Sequence, residues 1–133
     1  MERQDLASLS DRLFGQILDS LIAFAPFIPA GILVVISPSL GMLAIVAAGG
    51  YAFYYILFAD GFEGGQSYGK RFVNTAVIDG TTGEPCTFWQ SFLRNVPLML
   101  LGVIDWVFIF GQRRQRLGDK LANTFVVKTQ PLP

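Results

Sequence analysis

The sequence predicts an all-α integral membrane protein: a transmembrane helical hairpin, a third in-membrane helical segment, and a small cytoplasmic β-hairpin or strand element. Three observations carry this reading. Residues 40–59 contain no charged side chain in twenty positions, the run a helix needs to cross a hydrocarbon core of roughly 30 Å. Hydrophobic residues make up 52% of the chain and charged residues 15%, with a mean hydropathy of +0.47, whereas soluble domains carry roughly a quarter charged residues. Only Ser37, Pro38 and Ser39 separate residues 40–59 from the apolar run before them, and so short a link forces two helices antiparallel.

The first span covers residues 13–36, and its only charge is Asp19. At 1.5 Å per residue it reaches about 36 Å, enough to cross. Pro26, Pro29 and Gly31 predict a kink or an unwound turn near its middle. Residues 1–12 mix both signs of charge, and the apolar stretch behind them is too long for a signal-peptide h-region. The first segment is therefore expected to stay in the mature chain. In the second span Ala44, Ala48 and Ala52 recur every fourth residue beside Gly41, Gly49 and Gly50. That spacing lets helix backbones approach in lipid, although small residues are common in such helices generally. Tyr54, Tyr55 and Phe58 suit an aromatic belt at the exit.

Residues 60–87 form a polar loop. It opens with the glycine-rich "DGFEGGQSYGKR", continues with the β-prone "FVNTAVID" and closes with the turn-forming "GTTGEP", a pattern that predicts a β-hairpin. "TFVVK" at 124–128 is a second β-prone run able to pair with it. "GGQSYGK" fits G-x-x-x-x-G-K, but Arg71 stands where a P-loop needs Ser or Thr, and a membrane helix rather than a strand precedes it. Nucleotide binding is rejected on those grounds. The third segment covers residues 88–110. Thr87 followed by Gln90 resembles a capping box, so a helix should start at Phe88. In "FWQSFLRN" the apolar Phe88, Trp89, Phe92 and Leu93 line one face and Gln90, Ser91, Arg94 and Asn95 the other, an interfacial pattern. After Pro97, "LMLLGVIDWVFIF" is apolar except for Asp105.

Lys and Arg number two in the N-terminal arm, none in residues 37–40, three in residues 61–95 and five after Phe110. The positive-inside rule places the arm, the loop and the tail (residues 111–133) in the cytoplasm. Two spans then suffice, and residues 96–110 dip in and return or lie in the interface. The competing reading joins residues 88–110 into one tilted span and puts the tail outside. The first is favoured because strand pairing of the tail with the loop requires a shared side. The basic "GQRRQRLGDK" should also attract anionic headgroups, at about 1 kcal/mol per Lys or Arg.

Ten Lys and Arg balance ten Asp and Glu, so no net field draws in nucleic acid. The chain has no histidine and one cysteine, Cys86, which rules out a disulfide and a thiolate metal cluster. No nucleophile–base spacing is visible, so neither an enzyme nor a cofactor nor a metal site is expected. What remains are charges inside apolar segments. Arg12 and Asp19, seven positions apart, fall within about 20° of one helix face and about 10 Å apart along it. Arg12 can snorkel to the interface. Asp19 cannot, and an aspartate at a helix centre costs roughly 2.5–3.5 kcal/mol. It demands a buried partner, a bound cation or protonation. Asp105 poses the same problem, and it could pair with Arg94 if the chain reverses at residues 97–102. Two intramembrane carboxylates fit a proton or cation path. Asp119 could accept from neighbouring arginines or cap the next turn.

The stretches "DRLFGQILD", "GGQSYGKRFVNTAVIDGTTGEP", "FWQSFLRN" and "RRQRLGDKLANTFVV", in this order and at these spacings, resemble the RDD family of small multi-spanning bacterial membrane proteins. The family's arginine and first aspartate match Arg12 and Asp19; Asp119 is preferred over Asp105 for the later aspartate. Asn123, where members often show glycine, and the short third apolar segment are departures. The resemblance implies a single RDD-like domain over residues 1–133 in the bacterial cytoplasmic (inner) membrane, and the charge bias puts its N-terminus in the cytoplasm. It also implies transport of an unassigned ligand, with cation/proton exchange suggested for some members. The residues themselves point to a small transporter or transporter component, with Asp19 and Asp105 as ion or proton carriers. So few spans would need an oligomer. The alternative is an accessory or scaffold protein that binds other membrane proteins through Arg12, Asp19 and the alanine stripe. The expected partners are the bilayer, a monovalent cation or proton, and further copies or other membrane proteins, not nucleic acid.

Overall fold

A computed structural model describes residues 6–110 and 114–129. Residues 1–5, 111–113 and 130–133, which hold part of the predicted basic tail, lie outside the described residues.

Helix α1 (Leu9–Phe24) starts where the Ser8 hydroxyl accepts from the Asp11 N–H at 3.0 Å, leaving one fewer orphan donor in the first turn. The expected kink falls at Ala25 and Pro26, and α2 (Phe27–Ile36) continues beyond it, so that Leu9–Ile36 forms one apolar run of 28 residues. The turn into α3 (Pro38–Phe58) is tighter than the predicted three-residue link. Only Ser37 lies between, because Pro38 sits in the first helical turn, where a missing N–H costs nothing. A Cβ on Gly41 would overlap the Val34 backbone, so glycine sets how closely the hairpin closes. Ala52 packs with Ala23, Tyr55 and Ala59, and Ala48 is buried too. Leu21, Ile28, Val35, Leu43 and Val46 face outward. Leu9–Ile36 and Pro38–Gly61 are both long and apolar enough to cross a membrane.

After α3 the chain makes two short 3₁₀ turns and then a helix, α4 (Tyr68–Phe72), within the stretch expected to be loop. Ser67 caps it. Strand β1 (Thr75–Asp79) follows, but the hairpin predicted inside residues 60–87 is reduced to a single bridge, Ile78 to Pro85. The partner of β1 is the tail strand β2 (Thr124–Lys128), antiparallel with Val77 opposite Val126. On the other side of β2, Leu6 bridges Val127 and the Ala7 N–H donates to the Val126 carbonyl at 2.9 Å. Arm, loop and tail thus meet in one layer, over a small core of Ala7, Val77, Cys86 and Val126. Burial pushes the Cys86 thiol up to about 12, which suits an inert packing residue.

Helix α5 (Phe88–Leu101) starts with the predicted capping box, Thr87 and Gln90 each accepting from the other's backbone. At Gly102, with φ of 57°, the chain leaves the helix. It then enters α6 (Val103–Val107) and a 3₁₀ turn ending at Phe110, having changed direction by 114°. Residues 88–110 are therefore not one straight helix. Helix α7 (Leu117–Ala122) ends on Asn123, which adopts the left-handed conformation with φ of 54°. That position favours glycine and tolerates asparagine better than other side chains, which accounts physically for the departure at Asn123.

Candidate functional site

In α1 the buried residues are Arg12, Gly15, Asp19 and Ala23, at helical spacing, while Leu13, Phe14, Ile17 and Leu21 point outward. Helix α5 does the same. Ser91, Arg94 and Asn95 are buried, and Phe88 and Trp89 are exposed. The interfacial pattern would have turned that polar face to water. It faces inward instead, where Arg94 and Asn95 meet buried aspartates and Ser91 meets the Leu57 carbonyl.

The inward charges form a circuit. Arg12 Nη2 donates to Asp119 Oδ2 at 2.6 Å. Arg94 donates to Asp119 Oδ1 from Nη2 at 2.6 Å and from Nε at 3.0 Å, and its Nη1 bonds Asp60. Lys70 Nζ lies 2.6 Å from Asp60 Oδ1 and 3.6 Å from Asp19 Oδ2. Asp19 also accepts from the Tyr55 hydroxyl at 2.8 Å, the Ser67 hydroxyl at 2.6 Å and the Gly69 N–H at 2.9 Å. The chain of pairs therefore begins and ends on α1. Asn95 donates to Asp60 at 3.1 Å, and Ser91 donates to the Leu57 carbonyl at 2.7 Å. A branch runs through Arg116, 3.9 Å from Asp119 and 3.4 Å from Asp105. Four cations (Arg12, Lys70, Arg94, Arg116) meet four aspartates (Asp19, Asp60, Asp105, Asp119), none more than 8% exposed.

Burial works to raise the Asp119 carboxyl, but Arg94, Arg12 and Arg116 outweigh it and hold the group well below the usual carboxylate range. Burial dominates at Arg116 and pushes it down to about 10, with Asp119 acting against it. Desolvating so many charges costs several kcal/mol per ion, offset only where the geometry is complete. Two glycines make that geometry possible. A Cβ on Gly118 would overlap the Arg94 carbonyl, and one on Gly69 would come within 2.6 Å of Asp19 Oδ1.

Of the residues predicted to matter, Arg12, Asp19, Arg94 and Asp119 enter one cluster, with Asp119 at its centre. Arg94 does not pair with Asp105; it serves Asp60 and Asp119. Asp105 faces Arg116 and accepts from the Gly118 N–H at 2.8 Å. Asp19 is the eleventh residue of its 28-residue run, and no charged residue follows it there. From Ser20 to Ala59 the sequence holds no charge at all, so the cluster occupies one end of the hairpin. Sequence reasoning passed over Asp60, Lys70, Arg116, Tyr55, Ser67 and Asn95 as site residues. Asp60 carried a signal, being the first charge after that uncharged stretch. A polar cavity of about 20 Å³, enough for a water, is lined by Gln16, Asp19, Tyr55, Asp60, Lys70 and Asn95 among others. Among the described residues no group of three or more His, Cys, Asp or Glu is placed to hold a metal ion.

The fold is mostly helical, with two helices long and apolar enough to span a membrane and a chain of buried ion pairs at one end. Residues 6–123, most of the chain, match the RDD family, and the chain belongs to that family. No curated protein and no solved structure matches it.

Proposed function

We propose that the chain is a membrane subunit for cation/proton exchange that works as an oligomer, with Asp19, Asp60 and Lys70 as the exchange site. The observation that carries this is Lys70, shared between two carboxylates on the wall of a cavity large enough for water. A monovalent cation or proton arriving there replaces the Lys70 ammonium between Asp19 and Asp60 as Lys70 swings aside, so the charge of the buried cluster is unchanged. Asp60 takes the part first given to Asp105, which does not line this cavity. The reading is of a protein without enzymatic chemistry.

The far half of the hairpin offers a single chain no polar path, so the exchange route is completed between copies. The Arg94 carbonyl and the Asp105 carboxylate both lie against Gly118, which supports a segment that enters the membrane and returns. Arm, loop and tail then share one side, and their Lys and Arg support a cytoplasmic side of a bacterial inner membrane.

The same uncharged half favours a second reading, an accessory protein that binds other membrane proteins. An open apolar groove between α2 and α3, lined by Pro29, Ala30, Leu33, Ala44, Ala48 and Tyr51, would be its contact surface. Purified protein in liposomes with a trapped pH dye separates the two. Proton movement driven by a sodium or potassium gradient supports exchange; no movement under either gradient, from correctly folded oligomer, contradicts it.

A further inference from the structure

We infer that α4 is an interfacial helix, and that its Arg71 binds the phosphate of an anionic phospholipid headgroup. The helix packs beside the hairpin, not beyond its end. The Gly69 N–H donates to Asp19 at 2.9 Å, and a Cβ on Gly15 would meet Val73 at 3.3 Å. The Tyr68 N–H donates to the hydroxyl of Tyr55, inside α3, at 3.2 Å. Gly15 and Asp19 stand about 9 and 15 Å along the run that begins at Leu9. That run of 28 residues is about 42 Å long. Centred on a hydrocarbon core of roughly 30 Å, it leaves about 6 Å at each end, so α4 lies just inside the boundary.

The two consecutive cations of α4 point opposite ways. Lys70 is buried against Asp60 and Asp19, whereas Arg71 is exposed. None of the ion pairs among the described residues includes Arg71. Its guanidinium sits 5.5 Å over the Tyr68 ring and donates to the Glu63 carbonyl at 3.3 Å. Most of its five N–H donors therefore lack a partner among the described residues. Tyr68 and Phe72, one helical turn apart, are 56% and 78% exposed. Ring contacts continue from Tyr68 through Phe62 to Phe88. Aromatic side chains of this kind sit at the headgroup level, and a long cation beside them reaches outward to it. A lipid phosphate accepts two parallel bonds from a guanidinium and brings the negative charge that no carboxylate supplies here. The inference rests on the hairpin crossing the membrane, and it is independent of exchange.

The depth of α4 is tested on the full chain in a Cys86→Ala background, in phosphatidylcholine vesicles. A bimane on Phe72→Cys should be quenched by lipid carrying a nitroxide high on its acyl chain, and far less by aqueous iodide. The same label on Val46→Cys, outward in α3, reports whether the hairpin inserts. Lipid quenching at Val46 with iodide quenching at Phe72 overturns the inference alone; iodide quenching at both overturns the hairpin with it. Quenching at Phe72 by neither reagent means that a second copy covers α4, and also overturns it. Headgroup binding is read by native mass spectrometry in detergent with phosphatidylglycerol and phosphatidylcholine in competition. Arg71→Gln should lower the preference for phosphatidylglycerol about fivefold, the share of one arginine near a lipid surface. An unchanged preference, or displacement of the lipid by inorganic phosphate, would contradict headgroup binding at Arg71.

Discussion

Arg12 and Asp119 lie 107 positions apart in the chain and meet at 2.6 Å, in a site where the aspartate has no exposed surface. The same carboxylate takes two bonds from Arg94. One aspartate on a six-residue helix therefore ties the first helix to α5, and so fixes the hairpin against everything that follows it.

Removing that carboxylate takes a partner from three buried arginines and leaves Arg12 without a carboxylate, while Arg94 keeps Asp60 and Arg116 keeps Asp105. Asp119→Ala should lower stability by about 3–5 kcal/mol, the usual cost of leaving a buried charge without its partner. Arg71→Ala, at an exposed position, should change it by less than about 0.5 kcal/mol. Equilibrium unfolding in detergent measures both.

Acid should act through the same residue. The folded state holds Asp119 below its ordinary value of about 3.9. Its contribution is thus fully present above about pH 4 and is lost as pH falls further, toward the lower folded value. Tm should be steady from about pH 5 upward on this account and decline below about pH 4. Asp119→Asn should show a shallower acid decline from a lower plateau.

Close backbone approach gives a third expectation. Gly118→Ala places a methyl on the Arg94 carbonyl and should destabilise by about 1–3 kcal/mol or more, as overpacking does. Gly31→Ala, with nothing within 4 Å of the added carbon, should be neutral or slightly stabilising in its helix. Comparable losses at both positions would mean that the contact between α5 and α7 does not control the fold.

Much of the scaffold is legible in the residues themselves. The uncharged run gives the hairpin, Thr87 and Gln90 give the start of α5, and the two β-prone runs pair as their composition suggests. Arg12 and Asp19 do share an inward face. The partners of those charges are not legible, because they stand on other segments. Arg94 reaches back 34 positions to Asp60, and Arg12 reaches forward to α7. One sequence carries no pairwise signal over such separations. Helix α7 is too short for a hydrophobic period to appear, and Asp60 reads as the start of a loop when seen only beside its neighbours. The polar face of α5 reads as interfacial from its own eight residues, because the aspartates that bury Arg94 and Asn95 stand on other segments.

Topology follows from the shared layer of arm, loop and tail. In a Cys86→Ala background, cysteines at the exposed Thr82 and Lys128 should both resist an impermeant thiol reagent in intact cells. A cysteine at Ser39, at the opposite end of the hairpin, should label. Labelling at Lys128 with protection at Thr82 would require residues 88–110 to cross fully.

The most direct measurement of the exchange site uses a residue that lines its cavity without joining the ion pairs. Gln16→Leu puts an apolar side chain on the wall of that cavity and leaves every charged partner in place. In proteoliposomes with a sodium or potassium gradient, the account predicts that this variant keeps the wild-type Tm and oligomeric state while proton flux falls roughly tenfold, a loss of about 1.4 kcal/mol at the rate-limiting barrier. Wild-type flux from Gln16→Leu, or no flux from the wild type itself, would contradict it.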